Sequence, residues 1–95
     1  MADNSDNSIF IGNKPVMNYI NAVETQFSQG LNEVKLIARG KFISKCVDVA
    51  EVSKKKLNAS IYEIKTDSQE FENKEGKKVT VSTMDIILKK INSSN

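Results

Sequence analysis

No stretch constrains this chain more than Ile37-Ala38-Arg39-Gly40-Lys41-Phe42-Ile43-Ser44-Lys45-Cys46-Val47-Asp48. An apolar run, Val34 to Ala38, stops at Arg39-Gly40-Lys41, and helical spacing follows at once, with apolar or small side chains at Ile43, Cys46, Val47, Ala50, Ser53 and Leu57. That order predicts a strand, a tight turn and a helix start. The turn brings Arg39, Lys41 and Lys45 to the amide end of a helix, where N–H groups and the positive end of the dipole already favour an anion. Phosphate is the guest that suits such a place, and a basic loop that is merely solvated is the competing reading.

The residues upstream repeat the theme. Ile9-Phe10-Ile11 is a short apolar run ending at Gly12, as expected of a buried strand, and Gly12-Asn13-Lys14-Pro15 turns the chain. Proline suits a first helical position because its φ is pre-set and the N–H it lacks would have been unpaired. From there Val16, Ile20, Val23 and Phe27 form one helical stripe, with Ala22 beside it and Gly30 as the stop. Met17 and Tyr19 lie off that stripe, and two readings compete: a harmless apolar pair on a second face, or contact with a partner chain or a ligand. A helix of ordinary length between two strands implies a right-handed crossover, so the two strands should be parallel neighbours.

The second helix is predicted to run to about Lys56. Its last turn holds Lys54-Lys55-Lys56, where cations interact favourably with the dipole and need no ligand to explain them. After that the period changes. A β-prone stretch from Ile61 to Phe71, a turn at Asn73-Lys74-Glu75-Gly76 and a returning strand from Lys78 to Ile91 predict a long hairpin. Near its base the returning strand is apolar on both faces, as expected of a strand buried on two sides, while the tip is polar and should project into water.

Composition narrows the chemistry. The 95 residues suffice for one small domain, expected over residues 8–91, with a flexible tail over 1–7 and another over 92–95. The chain has no histidine and a single cysteine. It therefore has no Ser-His or Cys-His pair, few parts for a zinc site and no internal disulfide, so no catalytic residues, metal or cofactor are expected. Cys46 falls among apolar helical positions and is expected to be a packed thiol. No apolar run is long enough to cross a bilayer, and the polar start lacks the pattern of a signal peptide, so a cytoplasmic protein is expected.

The net charge of +2 is unevenly spread. Residues 13–57 hold eight cations, Lys14, Lys35, Arg39, Lys41, Lys45, Lys54, Lys55 and Lys56, against four anions, Glu24, Glu33, Asp48 and Glu51. A polyanion should meet this middle section first.

Three separated motifs, Ile9-Phe10-Ile11-Gly12-Asn13-Lys14-Pro15-Val16-Met17-Asn18-Tyr19, Ala38-Arg39-Gly40-Lys41-Phe42-Ile43-Ser44-Lys45-Cys46-Val47-Asp48 and Val81-Ser82-Thr83-Met84-Asp85-Ile86, occur in an order and at a spacing that resemble the Alba family of archaeal chromatin proteins. The resemblance covers about Ser8 to Lys90. It implies an α/β (α+β) two-layer sandwich of order β-α-β-α-β-β, with a mixed four-stranded sheet of strand order 1-2-4-3, two helices on one face and a long hairpin arm. It also implies a homodimer that binds double-stranded DNA or RNA, mainly through phosphates, with the body loops on the backbone and the arms toward the grooves, and a place on the chromosome. Carried over by position, Lys14, Arg39, Lys41 and Lys45 match body contacts, and Lys74, Lys77 and Lys78 are the arm candidates. Leu57 matches a region of contact between dimers.

Two departures stand out. Where the family often has a lysine pair, the first of which is reversibly acetylated, this chain has Asn13-Lys14. Its arm is also acidic, with Glu70, Glu72 and Glu75 among the lysines. Besides DNA and RNA binding, an exposed β-prone arm fits a third function, a protein-interaction module that augments a partner's sheet.

Overall fold

The structure, a computed structural model, describes residues 7–91. Its elements are β1 (Ser8–Phe10), α1 (Val16–Ser28), β2 (Glu33–Arg39), α2 (Ile43–Lys56), β3 (Ala59–Glu72) and β4 (Lys78–Lys90), with a single 3-10 turn over Gly40–Phe42 between β2 and α2. The four strands form one sheet in the order β1-β2-β4-β3. β1 pairs in parallel with β2, and the other two pairings are antiparallel. The parallel β1–β2 pair and the strand order expected from the sequence are therefore present. The expected tails lie outside the described residues, except for Asn7.

Alternation along β2 sets the layers. Val34, Leu36 and Ala38 point into the core, and their partners on β4 are Leu88, Ile86 and Met84. Against this face pack Ile20, Val23 and Phe27 of α1 and Cys46, Val49 and Ala50 of α2. Each fully buried aliphatic side chain in such a core contributes about 1.5–3 kcal/mol. α2 buries Cys46, Ala50 and Ser53 as expected, and with them Val49 where the sequence pointed to Val47, which is 40 % exposed.

No helix among the described residues lies on the opposite face of the sheet. Phe10, in register with Ile37, stands on it and is 71 % exposed, so the first strand is buried on one side only. The same holds for β4: Ile86 and Leu88 are buried, whereas Asp85 and Ile87 on the uncovered face are only half-buried. Both departures have one cause, since two helices cover one side of a four-stranded sheet and nothing else in the described chain covers the other.

Beyond the body β3 and β4 continue as a two-stranded ribbon, which gives the molecule extents of 57 × 30 × 22 Å. At the tip the Asn73 side-chain oxygen accepts from the N–H groups of Glu75 and Lys77 at 2.9 and 3.0 Å, and Gly76 takes the left-handed φ of +79° that the turn requires.

The expected packed thiol is present. Burial pushes the Cys46 thiol up to about 11 from 9.0, and the negative charge of Asp85 adds to the rise. A thiol that ionises more readily in the unfolded chain holds stability below pH 9 and loses it as pH climbs toward 11. At pH 10 the chain is expected to be less stable than at pH 7, by about 1 kcal/mol. Urea unfolding at the two pH values should show this increment in the unchanged chain and lack it in Cys46→Ala.

Candidate nucleic-acid interface

Parallel pairing places the carboxyl ends of β1 and β2 side by side, so the Gly12–Pro15 loop and the Arg39–Phe42 turn leave the sheet at the same end. The Ile11 N–H donates to the Ile37 carbonyl at 2.8 Å and holds the two exits together. Helices α1 and α2 both begin there. No side chain caps either helix, and no acidic residue occupies either first turn. An anion approaching this end meets two positive dipole ends and no carboxylate in either first turn.

The loop itself is held by side chains. Tyr19, 8 % exposed, turns its hydroxyl toward the loop and accepts from the N–H of Gly12 at 2.8 Å and of Lys14 at 3.1 Å. The sequence had placed Tyr19 off the core stripe, with contact to a partner or ligand as one of two readings. Its ring instead lies in the core and its oxygen serves the backbone, because two loop N–H groups need an acceptor and the first helical turn puts a hydroxyl beneath them. Met17 is on the open side as expected, 47 % exposed. From α2, the Lys45 ammonium donates to the carbonyls of Gly12 at 2.9 Å and of Lys14 at 2.7 Å.

The second turn differs from a direct strand-to-helix junction. A 3-10 turn over Gly40–Phe42 comes first, and the N–H of Ile43 is spent on the Gly40 carbonyl, so the helical segment starts three residues before α2 proper. Gly40 sits at φ +59°, and a Cβ there would lie 3.6 Å from Val81, in ordinary contact; backbone conformation rather than space favours glycine. Phe42 ends the turn with the Lys41 ammonium 5.5 Å and the Lys45 ammonium 6.0 Å from its ring centre, close enough for cation–π attraction. Phe42 escaped the sequence reading because an aromatic beside a basic turn looks like one more core residue.

The cations of the body thus divide. Lys14 and Lys45 belong to the joint between loop and α2, and Lys41 stands on the 3-10 turn beside them. Arg39, the last residue of β2, is exposed on the uncovered face at the root of the arm, where it lines a concavity with Gln69, Glu70 and Phe71. A neighbouring concavity of about 560 Å³ runs from Arg39 past Phe10 and Ile37 to Asp67 and Asp85. Lys74, Lys77 and Lys78 are at the far tip. Lys78 is five residues from Thr83, the partner of Arg39, a separation of about 17 Å along a strand. One chain therefore presents a basic area at the body end and, at the arm tip, three lysines set among Glu70, Glu72 and Glu75. Among the described residues no group of three or more His, Cys, Asp or Glu is placed to hold a metal, and no helix is long and apolar enough to cross a membrane.

A two-layer α+β domain with paired helix starts above a parallel strand pair, and with a ribbon arm, defines the class of protein. The family model described as Alba matches residues 7–69. The chain is 45% identical over 87 residues to the DNA/RNA-binding protein Alba of Methanocella arvoryzae, covering 90% of this chain and 91% of that one. It is 44% identical over 88 residues to the DNA/RNA-binding protein Alba 1 of Archaeoglobus fulgidus, covering 90% and 98%. Alba from Thermoplasma volcanium superposes with a TM-score of 0.81 at 43% identity, covering 88% of this chain and all of that one. Alba 1 of Trypanosoma brucei, 23% identical over 95% of this chain and 74% of its own, shares the fold with a TM-score of 0.79. The chain belongs to the Alba family.

Proposed function

We propose that this protein is a non-enzymatic architectural protein that binds double-stranded DNA as a homodimer, chiefly through phosphates and with little base discrimination, and so helps to organise the chromosome in the cytoplasm. The observation that carries this reading is the shared carboxyl end of β1 and β2, where exposed Lys14 and Lys41 stand beside two uncapped helix starts and Arg39 leads to the arm. Phosphate contacts of this kind orient a protein on a duplex without reading sequence. The domain that binds is residues 8–91, with Lys74, Lys77 and Lys78 as the second area of contact.

Dimerisation is supported by the uncovered sheet face, which leaves Phe10 as the most exposed of the large apolar side chains among the described residues. Apolar surface of that kind favours a second copy over water. Leu57 is partly buried against the core, which gives little support to contacts between dimers through the α2–β3 junction.

RNA is the second reading, favoured by the names of the relatives, DNA/RNA-binding proteins. An A-form duplex offers its phosphates and 2′-hydroxyls to the same loops. A titration of matched DNA and RNA duplexes at two salt concentrations, with the mass of each complex determined, separates these readings. The expected result is two chains per complex, with log affinity falling by about 0.9 per phosphate contact for each unit of log salt. A flat salt response or a single chain on the duplex would overturn the proposal, and tighter binding to RNA at equal salt would favour the second reading.

A further inference from the structure

We propose that Lys45 is a positioning residue: its ammonium fixes the backbone of the Gly12–Pro15 loop and so aims Lys14, and it does not itself take up a phosphate. This rests on the phosphate-binding reading above and assigns a different task to one of the four body cations.

An ammonium has three protons to donate. Two of them go to the carbonyls of Gly12 and Lys14, at 2.9 and 2.7 Å, across 33 and 31 residues of sequence. The N–H groups of the same two residues are taken by the Tyr19 hydroxyl at 2.8 and 3.1 Å. Gly12 and Lys14 are thus each gripped through both of their peptide groups, one from α1 and one from α2, with only Asn13 between them left out. Burial agrees with this division of labour. Lys45 is half-buried, whereas Lys14, Arg39 and Lys41 are exposed. The Phe42 ring beside Lys45 completes an environment in which a cation is held by protein groups.

The clamp matters for binding because a loop of this kind, left free, would be ordered only on contact with the ligand, and that ordering subtracts from affinity. Hydrogen bonds from a charged donor are roughly twice as strong as neutral ones, which makes a lysine an effective tie for a short loop. It follows that the contribution of Lys45 to binding passes through Lys14. A phosphate ligand would instead act independently of it.

The test is a double-mutant cycle on the full chain, read as duplex DNA affinity by fluorescence anisotropy at roughly 50 and 200 mM salt. Lys45→Met keeps the aliphatic stem against Phe42 and removes the charge; Lys14→Ala removes the proposed contact. Each alone is expected to weaken binding and to lower the salt slope by about 0.9. In the Lys14→Ala background, Lys45→Met should change affinity by less than about twofold and leave the slope where it was, the signature of residues acting as one unit. Tyr19→Phe breaks the clamp from the other helix and should show the same dependence on Lys14, which keeps the test open if Lys45→Met does not fold. Additive losses, with the slope falling again in the double variant, would overturn the proposal, as would a Lys45→Met chain that binds like the unchanged one. If the unchanged chain fails to bind any duplex, the functional reading falls and this assignment falls with it, a result distinct from additivity because additivity requires binding.

Discussion

Leu36→Ala is expected to destabilise the chain by about 3–4 kcal/mol and to lower Tm by more than about 10 °C. Leu36 is fully buried at the centre of the sheet, paired with Ile9 on one side and Ile86 on the other, beneath both helices. Truncation there loses transfer free energy and leaves a cavity that strands on both sides prevent from closing. Lys35→Ala, one residue away on the uncovered face, is the control and should shift stability by no more than about 0.5 kcal/mol. The two variants should be melted at one protein concentration, because the Tm of the proposed dimer would depend on it. Equal losses from the two would mean that the helices do not cover the face assigned to them.

The triple variant Lys14→Ala, Arg39→Ala, Lys41→Ala is expected to keep the fold and lose most of the salt sensitivity of binding. Three phosphate contacts at about 0.9 each remove about 2.7 from the slope of log affinity against log salt, so a fourfold rise in salt costs the variant about fortyfold less affinity than it costs the unchanged chain. The loss should be the same on unrelated DNA sequences, since these cations are assigned to the backbone. The same substitutions with an unchanged slope would move the interface elsewhere, and the arm tip would be the next place to look. A loss confined to one sequence would point to base readout.

Much of this architecture was legible because single-face burial writes clear periods. The alternation of Val34, Leu36 and Ala38, the stripe of Ile20, Val23 and Phe27, and the punctuation by Gly12, Gly30 and Gly40 place strands and helices with few choices left. Short elements were harder. Ile9-Phe10-Ile11 is apolar at every position, and three residues cannot show which side is covered; pairing with Ile37 decides that Phe10 faces outward. Val47 and Val49 are both plausible core residues on α2, and only docking on the sheet selects Val49.

The basic turn was visible as composition, while its internal order was not. Arg39, Lys41 and Lys45 are close in sequence, yet one leaves along a strand, one stands on a 3-10 turn and one reaches back to the preceding loop. Such a contact spans more than 30 residues, and no local pattern announces it. Tyr19 was missed for the same reason: its hydroxyl answers a need of the backbone that arises only once the loop has folded over it.

The arm has a consequence for solubility. Past Arg39 no strand among the described residues accompanies β4, so the ribbon there has a rim on each side, each a row of peptide groups able to recruit another chain into a growing filament. Charged side chains sit along them, with Asp67, Glu70 and Glu72 on one rim and Lys78 on the other, and on the same edge of β3, within the body, Glu63 and Lys65 add charge and a register irregularity between Ile61 and Glu63 breaks the flatness. The carboxylates of the arm are thus also the guards that keep two ribbons from zipping together at high protein concentration.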